Sequence, residues 1–140
     1  MKNVFVASSL ISISGLICSC SDPTTQMEFR ASIERQGNGR LELVSVVSNY
    51  SDTPKMLNDI DIDSKLHEAL ELTSRDKRNG SYLPLDDTVS YVINKNLNPK
   101  ETYRFTLIGK ESDQFVSGDV DFIINNDNWN FRSVSVSCCL

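Results

Sequence analysis

The chain has 140 residues, 14 basic and 19 acidic side chains, and a formal net charge of −5. This length gives room for one domain, and 39% hydrophobic with 24% charged residues is a globular balance that argues against wholesale disorder. An acidic surface is a poor match for the phosphate backbone of DNA or RNA, so we expect no nucleic-acid partner.

The N-terminus has the layout of a secretory signal peptide. Lys2 precedes an apolar run over residues 4–17, and the first acidic residue is Asp22. A helix that spans a bilayer needs about 20 apolar residues, whereas this run is shorter and contains several serines. We therefore expect residues 1–19 to be a cleaved signal and not a permanent transmembrane helix.

The end of this run resembles the lipobox of bacterial lipoproteins. Ile17-Cys18-Ser19-Cys20 has a branched apolar residue, a free position, a small residue and a cysteine, although a cysteine at the free position is unusual. The resemblance implies cleavage before Cys20, whose thiol then carries a diacylglycerol. Ser21 follows where an Asp would direct inner-membrane retention, which implies the outer membrane of a Gram-negative bacterium. The alternative is an ordinary secreted protein cleaved near Ser19 or Ser21.

A mature chain that begins at Cys20 has 121 residues and a net charge of −6. Residues 20–26 are short and polar, which predicts a lipidated tether, and residues 27–140 form the folded domain. One acyl chain gives marginal attachment, but mature bacterial lipoproteins usually carry two or three.

Period-two patterning dominates the chain after the tether. It begins with apolar and polar residues that alternate over 27–34, and a Gly37-Asn38-Gly39 turn leads into a second strand over 40–49. The alternation breaks at Leu43-Val44, which predicts a bulge or burial on both faces. A helical turn with Ser64 as N-cap is expected over 64–69. Further strands are expected near residues 57–63, 70–73, 89–93, 103–107, 117–124 and 131–140. Seven or eight short strands without a long helix favour an antiparallel β-sandwich.

Two turns resemble those of bacterial immunoglobulin-like modules. Residues 49–54, Asn-Tyr-Ser-Asp-Thr-Pro, resemble the N-x-S-D-x-P loop after the second strand of such modules. Residues 97–102 are similar to their L-x-P-G-E-T turn, with Lys100 where Gly is usual. The resemblance implies an immunoglobulin-like sandwich, but not an antibody-type domain, because no cysteine lies between Cys20 and Cys138.

The sharpest cluster of candidate ligands is Asp59-Ile60-Asp61-Ile62-Asp63. In a strand, Asp59, Asp61 and Asp63 project from one face at a spacing of about 6–7 Å. A Ca²⁺ ion needs 6–8 oxygens, so these carboxylates would need help, for which Asp119, Asp121 and Asp127 are the candidates. The simpler interpretation is a solvated strand face whose charges discourage edge pairing. We therefore expect no metal and no cofactor.

No catalytic motif is present. His67 is the single histidine, and neither a G-x-S-x-G motif, a C-x-x-C pair nor a glycine-rich phosphate loop occurs. His67 is interpreted as a surface residue, and we expect no enzyme activity.

A disulfide between the adjacent cysteines 138 and 139 would be strained, and the sequence leaves their redox state open. Adjacent Cα atoms are about 3.8 Å apart, below the range of roughly 4.4–6.8 Å found in most disulfides. Strand parity predicts that Cys138 points into the core. It leaves Cys139 exposed, as a free thiol or a cross-link to a partner.

Tyr82 and Trp129 lie in predicted loops and are the candidates for a contact surface, with local packing as the alternative. Taken together, the sequence predicts a non-catalytic envelope lipoprotein that binds a protein or glycan partner or has a structural role. A second hypothesis is a secreted Ca²⁺-dependent module that binds carbohydrate or protein through the Asp-rich strand.

Overall fold

The structure is a computed structural model that describes residues 24–125 and 131–139. These residues form nine strands and one helix in the following order. The elements are β1 (Met27–Arg35), β2 (Arg40–Asn49), β3 (Lys55–Asp63), α1 (Ser64–Leu70), β4 (Thr73–Ser74), β5 (Ser81–Leu83), β6 (Thr88–Leu97), β7 (Thr102–Glu111), β8 (Val116–Ile124) and β9 (Phe131–Cys138).

The strands form two antiparallel sheets that pack face to face. One sheet has the order β1-β2-β7-β4 and the other β5-β6-β3-β8-β9. The neighbours β1-β2-β7 and β3-β8-β9 match the A-B-E and C-F-G arrangement of the immunoglobulin fold. The predicted immunoglobulin-like antiparallel β-sandwich is confirmed, with nine strands where the sequence predicts seven or eight. The difference lies in β5, whose three residues are too short to show a period, whereas β4 corresponds to the strand expected at 70–73.

The core lies between the sheets and is built from the inward side chains of both. Ile60 and Ile62 of β3 and Phe122 of β8 are fully buried, and they face residues such as Leu43 and Leu107 of the other sheet. In β2, Leu43 and Val44 are both buried at 0% and 2% exposure. The register shift falls instead between Arg40 and Glu42. Burial on both faces, rather than a bulge, therefore explains the broken alternation.

The N-cap of the helix lies one residue earlier than the sequence predicts. The side chain of Asp63, not Ser64, caps α1 by accepting a hydrogen bond from the Lys65 amide at 3.0 Å. The helix runs to Leu70, so the strand expected at 70–73 is displaced to Thr73–Ser74. A Cβ at Gly118 would lie 2.8 Å from the Leu66 Cβ, so a glycine there lets α1 pack directly on β8.

Asn49 connects the two turns that resemble those of immunoglobulin-like modules. Its side chain is fully buried, and its Nδ2 donates to the carbonyls of Thr53 at 2.9 Å and Leu97 at 3.0 Å. Its Oδ1 accepts from the amide and hydroxyl of Ser51. Its backbone carbonyl accepts from Lys100, which has a φ of 70° at the position where glycine is usual. One amide side chain thus ties the β2–β3 loop to the β6–β7 turn, which lie in different parts of the sequence.

The interpretation of Cys139 as an exposed free thiol or a cross-link to a partner is wrong. Cys138 and Cys139 form a disulfide with each other, and both are partly buried against the core. The strand ends at Cys138, and Cys139 has a φ of 78°. Strand parity therefore does not extend to Cys139, and its side chain turns back toward its neighbour.

Replacing Asn49 with alanine should lower the free energy of unfolding by about 3 kcal/mol, because the Leu97 and Thr53 carbonyls would lose their buried donor. Urea denaturation measures this change. Asn96→Ala, at an exposed position of β6, is the matched control and should change stability by no more than about 0.5 kcal/mol. Equal effects of the two substitutions would contradict the role assigned to Asn49.

The disulfide predicts a defined alkylation pattern. Digestion after Arg132 releases residues 133–140, which contain Cys138 and Cys139 as their only cysteines. This peptide should take up no iodoacetamide before reduction and should carry an adduct on each cysteine after reduction, as measured by mass spectrometry. Labelling of residues 133–140 in the unreduced, denatured protein would contradict the disulfide.

Candidate functional site

The Asp residues of β3 lie on the outer face of the five-stranded sheet, as the sequence predicts. Because Ile60 and Ile62 point into the core, the alternating carboxylates point outward. In the register of the sheet, Asp61 lies directly opposite Asp121 of β8 on one side and Ser90 of β6 on the other. Side chains at such positions have Cβ atoms about 5 Å apart, so two carboxylates are held side by side.

This face is not a simple solvated surface. Asp61 is only 7% exposed, and Asp59 and Asp63 are partly buried. Asp61 has strands on both sides, and Asp86, from the turn at residues 84–87, lies close by on the same face. The interpretation of the three residues as a freely solvated strand face is therefore wrong for Asp61.

Two adjoining cavities form what we call the acidic groove. The first has a volume of about 250 Å³ and the second about 480 Å³, and both are lined by Asp86 and Asp121. The first is also lined by Asp63, Lys65, Asp87, Thr88 and Asp119. The second is also lined by Asp59, Asp61, Leu83, Ile123 and Phe131. Carboxylates thus dominate both halves, while apolar side chains occur in the second.

Each half of the groove contains a buried oxygen without a hydrogen-bond partner. In the second cavity, Asp61 has a hydrogen bond from Ser90, yet its Oδ1 is unpaired. In the first cavity, Thr88 is 8% exposed and its Oγ1 is also unpaired. Buried polar atoms nearly always have partners, and an unpaired one destabilises the fold. The two oxygens are therefore places where a bound donor would be favourable.

Three carboxylates of the groove have a raised pKa. Burial, together with the negative charges of Asp59, Asp121 and Asp86, raises the pKa of Asp61 to about 6, although the hydrogen bond from Ser90 acts in the opposite direction. Burial also raises the pKa of Asp59 and of Asp121. The groove can therefore hold a proton in mildly acidic conditions, and above about pH 6 it presents an uncompensated negative charge.

Tyr82 lies at the edge of this groove. The sequence analysis treated Tyr82 and the Asp-rich strand as separate candidates. Tyr82 belongs to the short strand β5 rather than to a loop, and its hydroxyl donates to Asp87 Oδ1 at 3.0 Å. The Ser64 hydroxyl donates to the same oxygen at 2.5 Å. These two hydrogen bonds lower the pKa of Asp87. The Tyr82 side chain is still 57% exposed, so it is available for contact.

Several predicted residues cannot be placed. Cys20, Asp127 and Trp129 lie outside the described residues. Asp119 and Asp121 do lie beside the β3 carboxylates, as suggested for a Ca²⁺ site. Over residues 24–125 and 131–139, however, no three His, Cys, Asp or Glu side chains converge on a point that would hold a metal ion.

His67 is held in a structural contact. It is partly buried, and its Nε2 forms a 2.7 Å hydrogen bond with the hydroxyl of Tyr91, a side chain that is 2% exposed. Burial lowers the pKa of His67, so the ring is neutral at pH 7. The interpretation of His67 as a surface residue is thus replaced by that of a packing partner of Tyr91.

The sequence analysis missed Asp86 and Thr88 as members of the site. Both lie at the end of a stretch without clear periodicity, and they reach the groove through the pairing of β6 with β3. The sequence does show polar residues at 119 and 121 that alternate like those at 59–63. This pattern does not reveal which strands are neighbours.

The comparisons with known proteins leave the family open. No family model matches the chain, and no curated protein does. Two crystal structures of the GH20 exo-β-N-acetylglucosaminidase from Vibrio harveyi are similar, one in complex with N-acetylglucosamine and one of an inactive mutant. Each has a TM-score of 0.39 and 12% identity, and covers 80% of this chain but 18% of the enzyme chain. The chain spans less than a fifth of that enzyme, and so remote a likeness carries no argument. In the described part of the chain, none of the helical structure is long and apolar enough to span a membrane.

Asp61→Asn should stabilise the protein at neutral pH. The pKa of Asp61 is raised to about 6 in the folded state from its ordinary 3.8, so the folded state binds more protons between these values and loses stability as the pH rises through them. Asparagine removes this penalty, which should add about 1–2 kcal/mol above pH 6 and nothing below pH 4. Thermal melts at several pH values measure the difference.

Asp113→Asn is the control for this experiment, because the Asp113 side chain is 97% exposed. It should leave the pH dependence of the melting temperature unchanged. If Asp61→Asn instead destabilised the protein at about pH 8, the prediction would be wrong. The Asp61 charge would then have a compensating partner in solution.

Proposed function

We propose that this protein is a non-catalytic binding module of the bacterial cell envelope, attached to the outer membrane of a Gram-negative cell by a lipid on Cys20. The observation that carries the binding role is the acidic groove with its two unpaired buried oxygens. The anchor rests on the resemblance of residues 17–20 to a lipobox.

The domain would be held close to the membrane. Thr24 is 2% exposed, and its carbonyl accepts a hydrogen bond from the Met27 amide at 3.1 Å. Three residues separate Cys20 from Thr24, and consecutive Cα atoms are 3.8 Å apart, so at most about 15 Å lies between the lipidated residue and the domain.

The acidic groove lies toward the opposite end of the sandwich. Met27 pairs with Asn49, so the β2–β3 loop is at the anchored end. From that loop, β3 starts at Lys55 and reaches the groove between Asp59 and Asp63, which is about 13–26 Å away at the rise of a strand. A groove at this distance from the bilayer would be open to ligands and would stand apart from the anionic headgroups.

The non-catalytic part of the proposal is supported by the absence of a catalytic motif in the sequence and by the engagement of His67 with Tyr91. Hydrolase turnover that disappears in His67→Ala would overturn it. The Ca²⁺-dependent alternative gains no support, because the described residues contain no convergent set of metal ligands.

Expression of the full chain in a Gram-negative host tests the anchor. The wild-type protein should fractionate with membranes and should have the mass of residues 20–140 plus a diacylglycerol and an N-acyl chain. Cys20→Ala should lose both modifications, because the thiol that carries the lipid is gone. Membrane fractionation and intact mass spectrometry measure these outcomes.

Cys18→Ala provides the matched control and should be lipidated like the wild type. An unmodified mature mass in the soluble fraction would instead identify a secreted protein. Lipidation lost in Cys18→Ala but kept in Cys20→Ala would place the anchor on the other cysteine.

A further inference from the structure

The acidic groove has the charge of a site for a cation. Carboxylates line both of its halves, and Lys65 is the one basic side chain that lines either half among the described residues. Like charges that are held together in a partly buried place repel one another, and a bound cation would relieve this repulsion.

The unpaired oxygens show where hydrogen-bond partners are missing, and both oxygens can accept from an ammonium group. Asp61 Oδ1 and Thr88 Oγ1 are both buried without a partner, one in each cavity. Thr88 lies opposite Asp63 in the sheet, and Asp61 lies opposite Ser90. Asp61 and Thr88 are therefore diagonal neighbours, at a separation of about 7–8 Å. A ligand that satisfies both needs two donor groups at about this distance.

A compact metal ion does not match this geometry. The oxygens are spread along a groove of two cavities instead of converging on one point. The second cavity also has an apolar wall of Leu83, Ile123 and Phe131, which offers no metal ligand. Of these three residues, Leu83 pairs with Thr88, and an apolar side chain there suits the methylene groups between two charged ends, in the way that lysine stems lie along apolar surface.

We propose that the acidic groove binds a linear aliphatic diamine or polyamine. One ammonium group lies between Asp61 and Asp121, and a second lies near Thr88 and Asp63. The methylene chain between them lies along the groove beside Leu83, which pairs with Thr88. Phe131 pairs with Ile123, opposite Asp59, and so lies beyond the Asp61 end of the ligand. This inference rests on the binding role proposed above for the groove and adds the chemical class of its ligand.

The test compares cadaverine with pentylamine, which has the same stem but a single ammonium group. Isothermal titration uses the full mature chain in detergent at low ionic strength. Cadaverine should bind at least about tenfold more tightly than pentylamine, since its second ammonium group makes charge-assisted hydrogen bonds that pentylamine cannot make. Spermidine should bind at least as tightly as cadaverine, and added salt should weaken both. Equal binding of cadaverine and pentylamine would overturn the two-point site.

Variants of the groove locate the site. Asp121→Asn should weaken cadaverine binding by about tenfold or more, because a carboxylate in contact with an ammonium group is lost. Thr88→Val keeps the shape of the side chain and should weaken binding by a few-fold, while the control Asp113→Asn should leave it unchanged. Melting curves establish that each variant is folded. Unaltered binding by Asp121→Asn would overturn the proposal.

The pH dependence gives a second readout. Asp61 titrates near pH 6, so affinity should fall several-fold between about pH 7.5 and about pH 5, as its charge is lost. The charged groups that surround it on the neighbouring elements are Asp59, Asp63, Lys65, Asp86, Asp87, Asp119 and Asp121. In Asp61→Asn this pH dependence should largely disappear. A profile identical to that of the wild type would contradict the placement of an ammonium group at Asp61.

Ca²⁺ and trilysine separate failure of this inference from failure of the binding role. If either binds in a manner lost in Asp121→Asn while cadaverine and spermidine do not, the groove is a binding site but not for free amines, and the inference is wrong. If none of these cations binds, the inference and the binding role of the groove both fail, whereas the anchor is judged separately by the mass of the mature chain.

Discussion

Because β3 lies at the centre of its sheet, the side chains on its outer face are crowded by two neighbouring strands. Strands β6 and β8 flank it on both sides, so a side chain in the middle of β3 has neighbours in both directions. The same alternation that sends Ile60 and Ile62 into the core sends Asp61 outward, between Ser90 and Asp121. The register cannot shift by one residue without placing carboxylates in the core. Burial of the isoleucines therefore fixes the crowding of the aspartates.

The other end of the sandwich is fixed by a different kind of interaction. At Asn49, one buried amide satisfies two carbonyls and receives two donors, so each of its hydrogen-bonding atoms is used. In the acidic groove, by contrast, Asp61 Oδ1 and Thr88 Oγ1 have no partner. Among the described residues, three buried side-chain oxygens have no partner: two belong to the groove, and the third is Ser45 Oγ of β2 in the other sheet. Such local inconsistencies are typical of sites that act on a ligand.

The sequence predicts the sandwich because its main strands have a strong period of two and clear turns between them. It also predicts which residues of β3 share a face. It does not predict that Asp61 is buried, because burial depends on the pairing of β3 with β6 and β8 and on the position of the turn that carries Asp86. The short strand β5 has no period to detect. The disulfide was missed for a local reason, since the positive φ of Cys139 ends the strand parity on which the expectation was based.

The repulsion among the groove carboxylates affects the stability of the fold, and it would also affect the proposed binding of a cation. The crowded carboxylates favour the protonated form of Asp61 and weaken the folded state once that proton is lost. A cation in the groove would favour the charged form, and a ligand that binds the folded state stabilises it in proportion to its occupancy. The protein would therefore be most responsive to a cation above about pH 6, where the repulsion is largest. Because the groove lies toward the end of the sandwich away from Thr24, this response would take place away from the proposed anchor, and the packing that holds the anchored end together at Asn49 would not have to change.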